Sequence, residues 1–82
     1  MLMRQNFTTR INYDGRTVQA IIIPEHRKDG MYYEVNIPGI ERFYMRWSAA
    51  DKYEAVPQKG LRLPDNLALA ISDAIEEKMN KN

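Results

Sequence analysis

The pair Asp14-Gly15 constrains this chain more than any other two residues. Both residue types tolerate the positive φ that a tight two-residue hairpin turn of the favoured twist requires. The chain alternates apolar and polar residues on either side of the pair, from Phe7 to Tyr13 and from Arg16 to Ile23. Folding the run about the turn pairs Tyr13 with Arg16, Ile11 with Val18, Thr9 with Ala20 and Phe7 with Ile22 on one mostly apolar face. The other face pairs Asn12 with Thr17, Arg10 with Gln19 and Thr8 with Ile21. Turn chemistry and hydrophobic pattern demand the same register. Two strands, about 5–13 and 16–23, are therefore predicted.

Pro24 to Gly30 reads as a loop, with Pro24 ending the second strand and Asp29-Gly30 turning the chain back. The next run, Met31 to Trp47, reads as two more strands, about 31–37 and 41–47, around Pro38-Gly39. An L-proline before glycine suits a type II turn, which twists poorly for a tight hairpin. A longer or bulged connection through Ile40-Glu41 is expected for that reason. Tyr33, Val35 and Ile37 share a face with Phe43, Met45 and Trp47. The opposite face carries Tyr32, Glu34, Asn36, Arg42, Tyr44 and Arg46, a mixture of arginine and tyrosine.

Residues 48–63 read as an irregular connection, with Ser48-Ala49-Ala50-Asp51 as a helical turn or Tyr53 to Val56 as a short strand. The segment 65–79 is a helix. Pro64-Asp65 suits its start, and Lys78 and Lys81 suit the negative end of its dipole. Leu67, Ala70, Ile71, Ala74, Ile75 and Met79 form one apolar stripe, and Leu69 falls off it. The expected fold is α+β: a four-stranded antiparallel meander followed by one amphipathic helix packed on its apolar face, in a single domain over 1–82. That arrangement leaves the Arg42/Tyr44/Arg46 face open.

Composition narrows the function classes. At 82 residues the core is thin, and association with a second copy would be a natural supplement. The chain has no cysteine, which removes disulfides, thiolate catalysis and cysteine zinc sites. The N-terminal stretch has no long apolar run, so neither a signal peptide nor a membrane span is read there. A cytoplasmic location is expected. The sequon Asn6-Phe7-Thr8 carries little weight without a secretion signal. Net charge is +1, split between a mildly basic first part and a mildly acidic helix. Residues 1–64 hold ten basic side chains against seven acidic; the rest hold two against four.

The run RWSAADKYEAVPQKGLRLPDNLALAISDAI, Arg46 to Ile75, resembles the end of single-stranded-DNA-binding domains of the transcriptional positive-cofactor type, including their bacterial members. The matching positions are Arg46, Trp47, Lys59, Gly60, Leu61, Leu63 and the helix, about a third of the chain. The symmetrical first hairpin, the Pro38-Gly39 turn and the low basic content depart from that pattern. The resemblance implies a homodimer built through the helices, with curved sheets offering basic and aromatic side chains to single-stranded DNA or RNA. On that view Leu67, Leu69, Ile71, Ile75 and Met79 are candidates for the dimer interface. Arg10, Tyr32, Arg42, Tyr44, Arg46 and Lys59 are candidates for nucleic-acid contact.

Each candidate has a plainer alternative. Arginine and tyrosine on a sheet can stack bases and bind phosphates. They also populate protein interfaces, or form an ordinary solvent face where arginine stems lie over tyrosine rings. Arg27, Lys28, Lys52, Lys59 and Arg62 read as rim phosphate contacts or as loop solubility. His26 is the one histidine, beside Glu25 and Asp29, and a metal site needs more converging ligands than that. Ser48 and Ser72 lack any nucleophile context, and no carboxylate pair or phosphate-cradling glycine loop is present. Trp47 belongs to the core by phase, or to the open face if a bulge reverses that phase. The expected function is that of a non-enzymatic binding protein without metal or cofactor, taking single-stranded nucleic acid through the basic and aromatic face. The alternative is a protein-interaction module or small regulatory, antitoxin-like subunit. DGMYYEVNIPGI loosely resembles antitoxin domains of sheet-plus-helix type, whose usual small-residue pattern the following strand lacks.

Overall fold

The computed structural model describes residues 6–80 and contains five strands and a helix. The strands are β1 (Phe7–Tyr13), β2 (Arg16–Arg27), β3 (Gly30–Ile37), β4 (Ile40–Trp47) and β5 (Tyr53–Ala55), followed by α1 (Asp65–Asn80). The strands form one antiparallel meander in sequence order. The α+β class and the C-terminal helix are as expected; the sheet has a fifth strand. The part of the first strand expected at residue 5, and Lys81 in the helix end, lie outside the described residues.

The first hairpin has the register that its sequence demands, from Phe7↔Ile22 to Tyr13↔Arg16. Asp14 and Gly15 take φ of 56° and 77°, both positive as such a turn requires. Pro24 does not end β2, which continues to Arg27. The pairing with β3 alternates from the Arg27↔Gly30 closure, so the Pro24 nitrogen points away from β3 and costs that ladder no bond. The turn between β2 and β3 is thus Lys28-Asp29, one residue earlier than expected, and Gly30 opens β3 at φ 134°.

The chain turns tightly at Pro38-Gly39, flanked by Ile37↔Ile40, with Gly39 at φ 85°. The ladder then slips: Val35 pairs with Phe43, so Glu41 and Arg42 together oppose Asn36. The mismatched twist of the proline turn is absorbed by this bulge, as expected. Beyond β4, Ala49-Ala50-Asp51 make a three-residue loop. Ser48 N–H donates to the Lys52 carbonyl at 2.8 Å and Asp51 takes φ of 60°. This loop returns the chain as β5, settling the choice at 48–63 for the strand.

One face of the sheet is covered by α1. Ile22, Val35, Phe43 and Met45 are fully buried against Leu67, Ile71 and Ile75. The helix approaches the two outermost strands, β1 and β5, more closely than the middle ones, so the sheet curls around it. Ser72 is the one buried polar residue described, and it lies on the packed side of α1. Its Oγ accepts a hydrogen bond from the Tyr53 N–H at 3.0 Å, on the outward edge of β5. Replacing Ser72 with alanine should leave that part-buried donor without its partner and cost about 1 kcal/mol. The change is measurable by chemical denaturation, with faster hydrogen exchange at the Tyr53 amide. Unchanged exchange there would show that the bond contributes nothing.

Candidate binding surface on the open sheet face

The uncovered face is defined by the register. It carries Arg10 from β1, Glu25 and Arg27 from β2, Tyr32 and Glu34 from β3, Arg42, Tyr44 and Arg46 from β4, and Glu54 from β5. Tyr32 pairs with Arg46 and Glu34 with Tyr44. Because Met45 bonds toward β3, these are the non-hydrogen-bonded pairs, where side chains lie closest.

A compact cluster results. The Arg27 guanidinium lies 4.1 Å from the Tyr32 ring centroid and 4.8 Å from that of Tyr44. Glu25 orients it, accepting from Arg27 Nε at 3.2 Å. The Tyr32 hydroxyl donates to Asp29 Oδ2 at 2.6 Å and accepts from Arg46 Nη1 at 3.5 Å. The Tyr32 bond holds the Asp29 carboxyl below the usual carboxylate range, and the Glu25 bond holds Arg27 more firmly charged than an isolated arginine. Tyr32, expected as an open platform, is therefore only 5% exposed although it faces away from the helix. Arginine cover, not the protein core, hides it.

The remaining expected residues are dispersed. Arg42 and Arg46 are exposed, and Tyr44 is half-buried under Arg27. Arg10 is exposed on β1, at the far side of the sheet. Lys59 is exposed in the turn from Gln58 to Leu61, which Gln58 Nε2 ties to the Arg42 carbonyl at 3.0 Å. Arg27, expected in a loop after Pro24, lies on β2 instead; the alternation Ile21-Ile23-Glu25-Arg27 carries its true place.

On the other face the burial differs from the expectation at Trp47. Trp47 keeps the phase of Phe43 and Met45 but is 49% exposed, at the last position of β4. It meets Tyr53 edge-on at 5.0 Å, and Tyr53 meets Tyr33 at 5.4 Å. Burial pushes the Tyr53 phenol up to about 12. Of the dimer candidates, Leu67, Ile71 and Ile75 are fully buried within the chain's own core. Leu69 and Met79 are exposed, and Met79 Sδ accepts from the Tyr33 hydroxyl at 3.2 Å. Among the described residues, no group of three or more His, Asp or Glu is placed to hold a metal, and no helix is long and apolar enough to cross a membrane.

No family model, curated protein or solved structure matches this chain. The likeness to the positive-cofactor domains rests on the residues quoted for it.

Replacing Tyr32 with phenylalanine removes the main donor to Asp29, so the Asp29 carboxyl should titrate higher, toward its ordinary range. A depressed carboxyl adds stability above its unfolded pKa and loses it as pH falls through the folded one. Any stability gap that this bond creates between wild type and Tyr32→Phe should accordingly close in acid. Carbon-detected NMR titration of Asp29 reads the shift, and an unmoved value would show that the hydroxyl is not its cause.

Proposed function

We propose that this chain is a non-enzymatic binding module that holds a protein partner on its open sheet face, around Arg42, Tyr44 and Arg46. The observation that carries this reading is the balance of charge. Strand residues on that face set four arginines, Arg10, Arg27, Arg42 and Arg46, against three glutamates, Glu25, Glu34 and Glu54. A polyanion gains most from a face of one sign, because its affinity comes largely from phosphate neutralisation and counterion release. A mixed face of arginine, tyrosine and carboxylate suits a protein surface, where complementary charges fix partner and orientation. Tyr32, already roofed by Arg27, offers no bare ring to a base, whereas an ordered arginine–tyrosine cluster enters a protein contact at low entropic cost.

Single-stranded nucleic acid is the second reading. Exposed Arg42 and Arg46 beside half-buried Tyr44 favour it. The resemblance of the Arg46 to Ile75 run supports it as well.

Two measurements decide between them. A photo-crosslinking phenylalanine analogue at position 44 should trap a discrete partner in extract. One at Glu77, on the exposed side of the helix, should not. The adduct should fade when Arg42 and Arg46 become alanine. Labelled oligo-dT should show no binding that weakens with salt. Salt-sensitive oligo-dT binding, lost in the double alanine variant, would replace the protein reading with the nucleic-acid one. Neither adduct nor oligo binding would mark the face as solvated surface.

A further inference from the structure

The edge of β5 and the first half of α1 form a groove of about 500 Å³, whose lining includes Lys52, Glu54, Ala55, Asp65, Ala68 and Leu69. We propose that this groove takes an extended peptide as a sixth strand, independently of the open face. The backbone supplies the first reason. Ser48 N–H donates to the Lys52 carbonyl and Val56 N–H to the Tyr44 carbonyl. Between these bonds Arg46 and Glu54 are the exchanging pair. Tyr53 and Ala55 therefore direct their N–H and C=O groups away from β4, toward the groove.

The helix takes only part of that edge. Ser72 Oγ accepts from the Tyr53 N–H and closes one end. Toward Asp65 the helix side chains lining the groove are Ala68 and Leu69, and the Tyr53 carbonyl and both polar groups of Ala55 face it. A strand edge beside a helix is a recurrent peptide-binding arrangement: the edge supplies main-chain bonds and the helix a wall for alternate side chains. Leu69 supplies that wall. It lies off the packed stripe and is 53% exposed, although it occupies the middle of the first half of α1.

Charge selects the occupant. The strand runs from Lys52 toward Ala55, and the helix returns from Asp65 to Ser72 beside Tyr53. The groove thus has Lys52 at one end and the Asp65 carboxylate at the other, with Glu54 between them, so its one cation marks the end nearer Tyr53. A peptide antiparallel to β5 sets its N-terminal side at the acidic end. The fitting ligand has a basic residue first, small apolar residues at alternate positions, and an acidic residue last.

The test is a two-dimensional NMR titration of the whole chain with the capped hexapeptide Arg-Thr-Val-Thr-Val-Glu. Shifts should concentrate at Lys52–Ala55 and Ala68–Leu69, with the Ala55 amide moving downfield. The charge-reversed peptide Glu-Thr-Val-Thr-Val-Arg should bind about three- to tenfold more weakly. Ala55→Pro removes an outward N–H without touching the β4 ladder and should weaken binding about fivefold. If that variant fails to fold, Leu69→Lys, at an exposed position, should lower affinity about tenfold. Three results would overturn the proposal: no shifts at millimolar peptide, shifts centred on Tyr44, or equal affinity for both peptides. A concentration-dependent dimer that Leu69→Lys abolishes would assign the groove to a second copy of the chain instead.

Discussion

A single helix must cover one face of a five-stranded sheet, and much else in this chain follows from that requirement. Five strands about 4.8 Å apart span roughly 19 Å between the outer two. A helix of 16 residues is about 24 Å long, so one helix of this length reaches both edges. The close approach of α1 to β1 and β5 shows that it does, with the sheet curled around it. Leu67, Ile71 and Ile75 are consumed in this cover, beside Phe43 and Met45. An association that used those three side chains would expose the sheet beneath them. Dimerisation through the helix, as the family likeness implies, would have to rely on the exposed side of α1. Apart from Leu69 and Met79, that side carries polar and acidic groups such as Asn66, Asp73 and Glu77.

With one face closed, the other becomes the surface on which the sheet can meet a ligand. Its chemistry is set by cross-strand adjacency, and sequence distance hides it. Arg27 and Tyr44 are 17 positions apart in the chain yet are stacked through the register of three neighbouring strands. Within this cluster, acidic side chains occupy positions that a polyanion binder would leave free or basic. Glu25 holds Arg27, Asp29 holds Tyr32, and Glu34 takes the Asn36 amide at 3.0 Å. Each arginine or tyrosine so engaged is ordered before any ligand arrives. That favours a partner of fixed shape over a flexible strand whose bases need bare rings.

The sequence made the fold legible wherever local chemistry and long-range pattern agreed. Asp14-Gly15 and its flanking alternation specify the same register, and the pairing follows it residue by residue. The bulge after Pro38-Gly39 was legible because a proline turn of the wrong twist needs relief. The misreadings share one cause: a residue's effect depends on which neighbour it faces. Pro24 breaks a ladder only when its nitrogen points at a partner, and here it does not. Trp47 has the phase of a core residue, but phase gives no information on how well the last position of a strand is covered. Tyr32 has the phase of an open-face residue and is buried all the same, since β2 continues past Pro24 and brings Arg27 over its ring. The short β5 carries too few residues for its own alternation to show.

The two edges of the sheet are unlike, and the difference bears on where the chain can add a strand. β1 pairs along its whole length, so by alternation from the Tyr13↔Arg16 closure the outward groups of its free edge belong to Thr8, Arg10 and Asn12. All three side chains are exposed and polar, and the central one is charged, a pattern that discourages edge-to-edge association. A two-fold pairing centred there would oppose Arg10 to its own copy. β5 has the contrary character: short, half-capped by Ser72, and bordered by Leu63, Ala68 and Leu69. Its shortness limits indiscriminate pairing, because few bonds are on offer, and the adjoining helix adds side-chain contacts that a bare edge lacks. An edge with few main-chain bonds and a shaped wall must draw selectivity from side chains, which is the condition under which binding discriminates among extended segments.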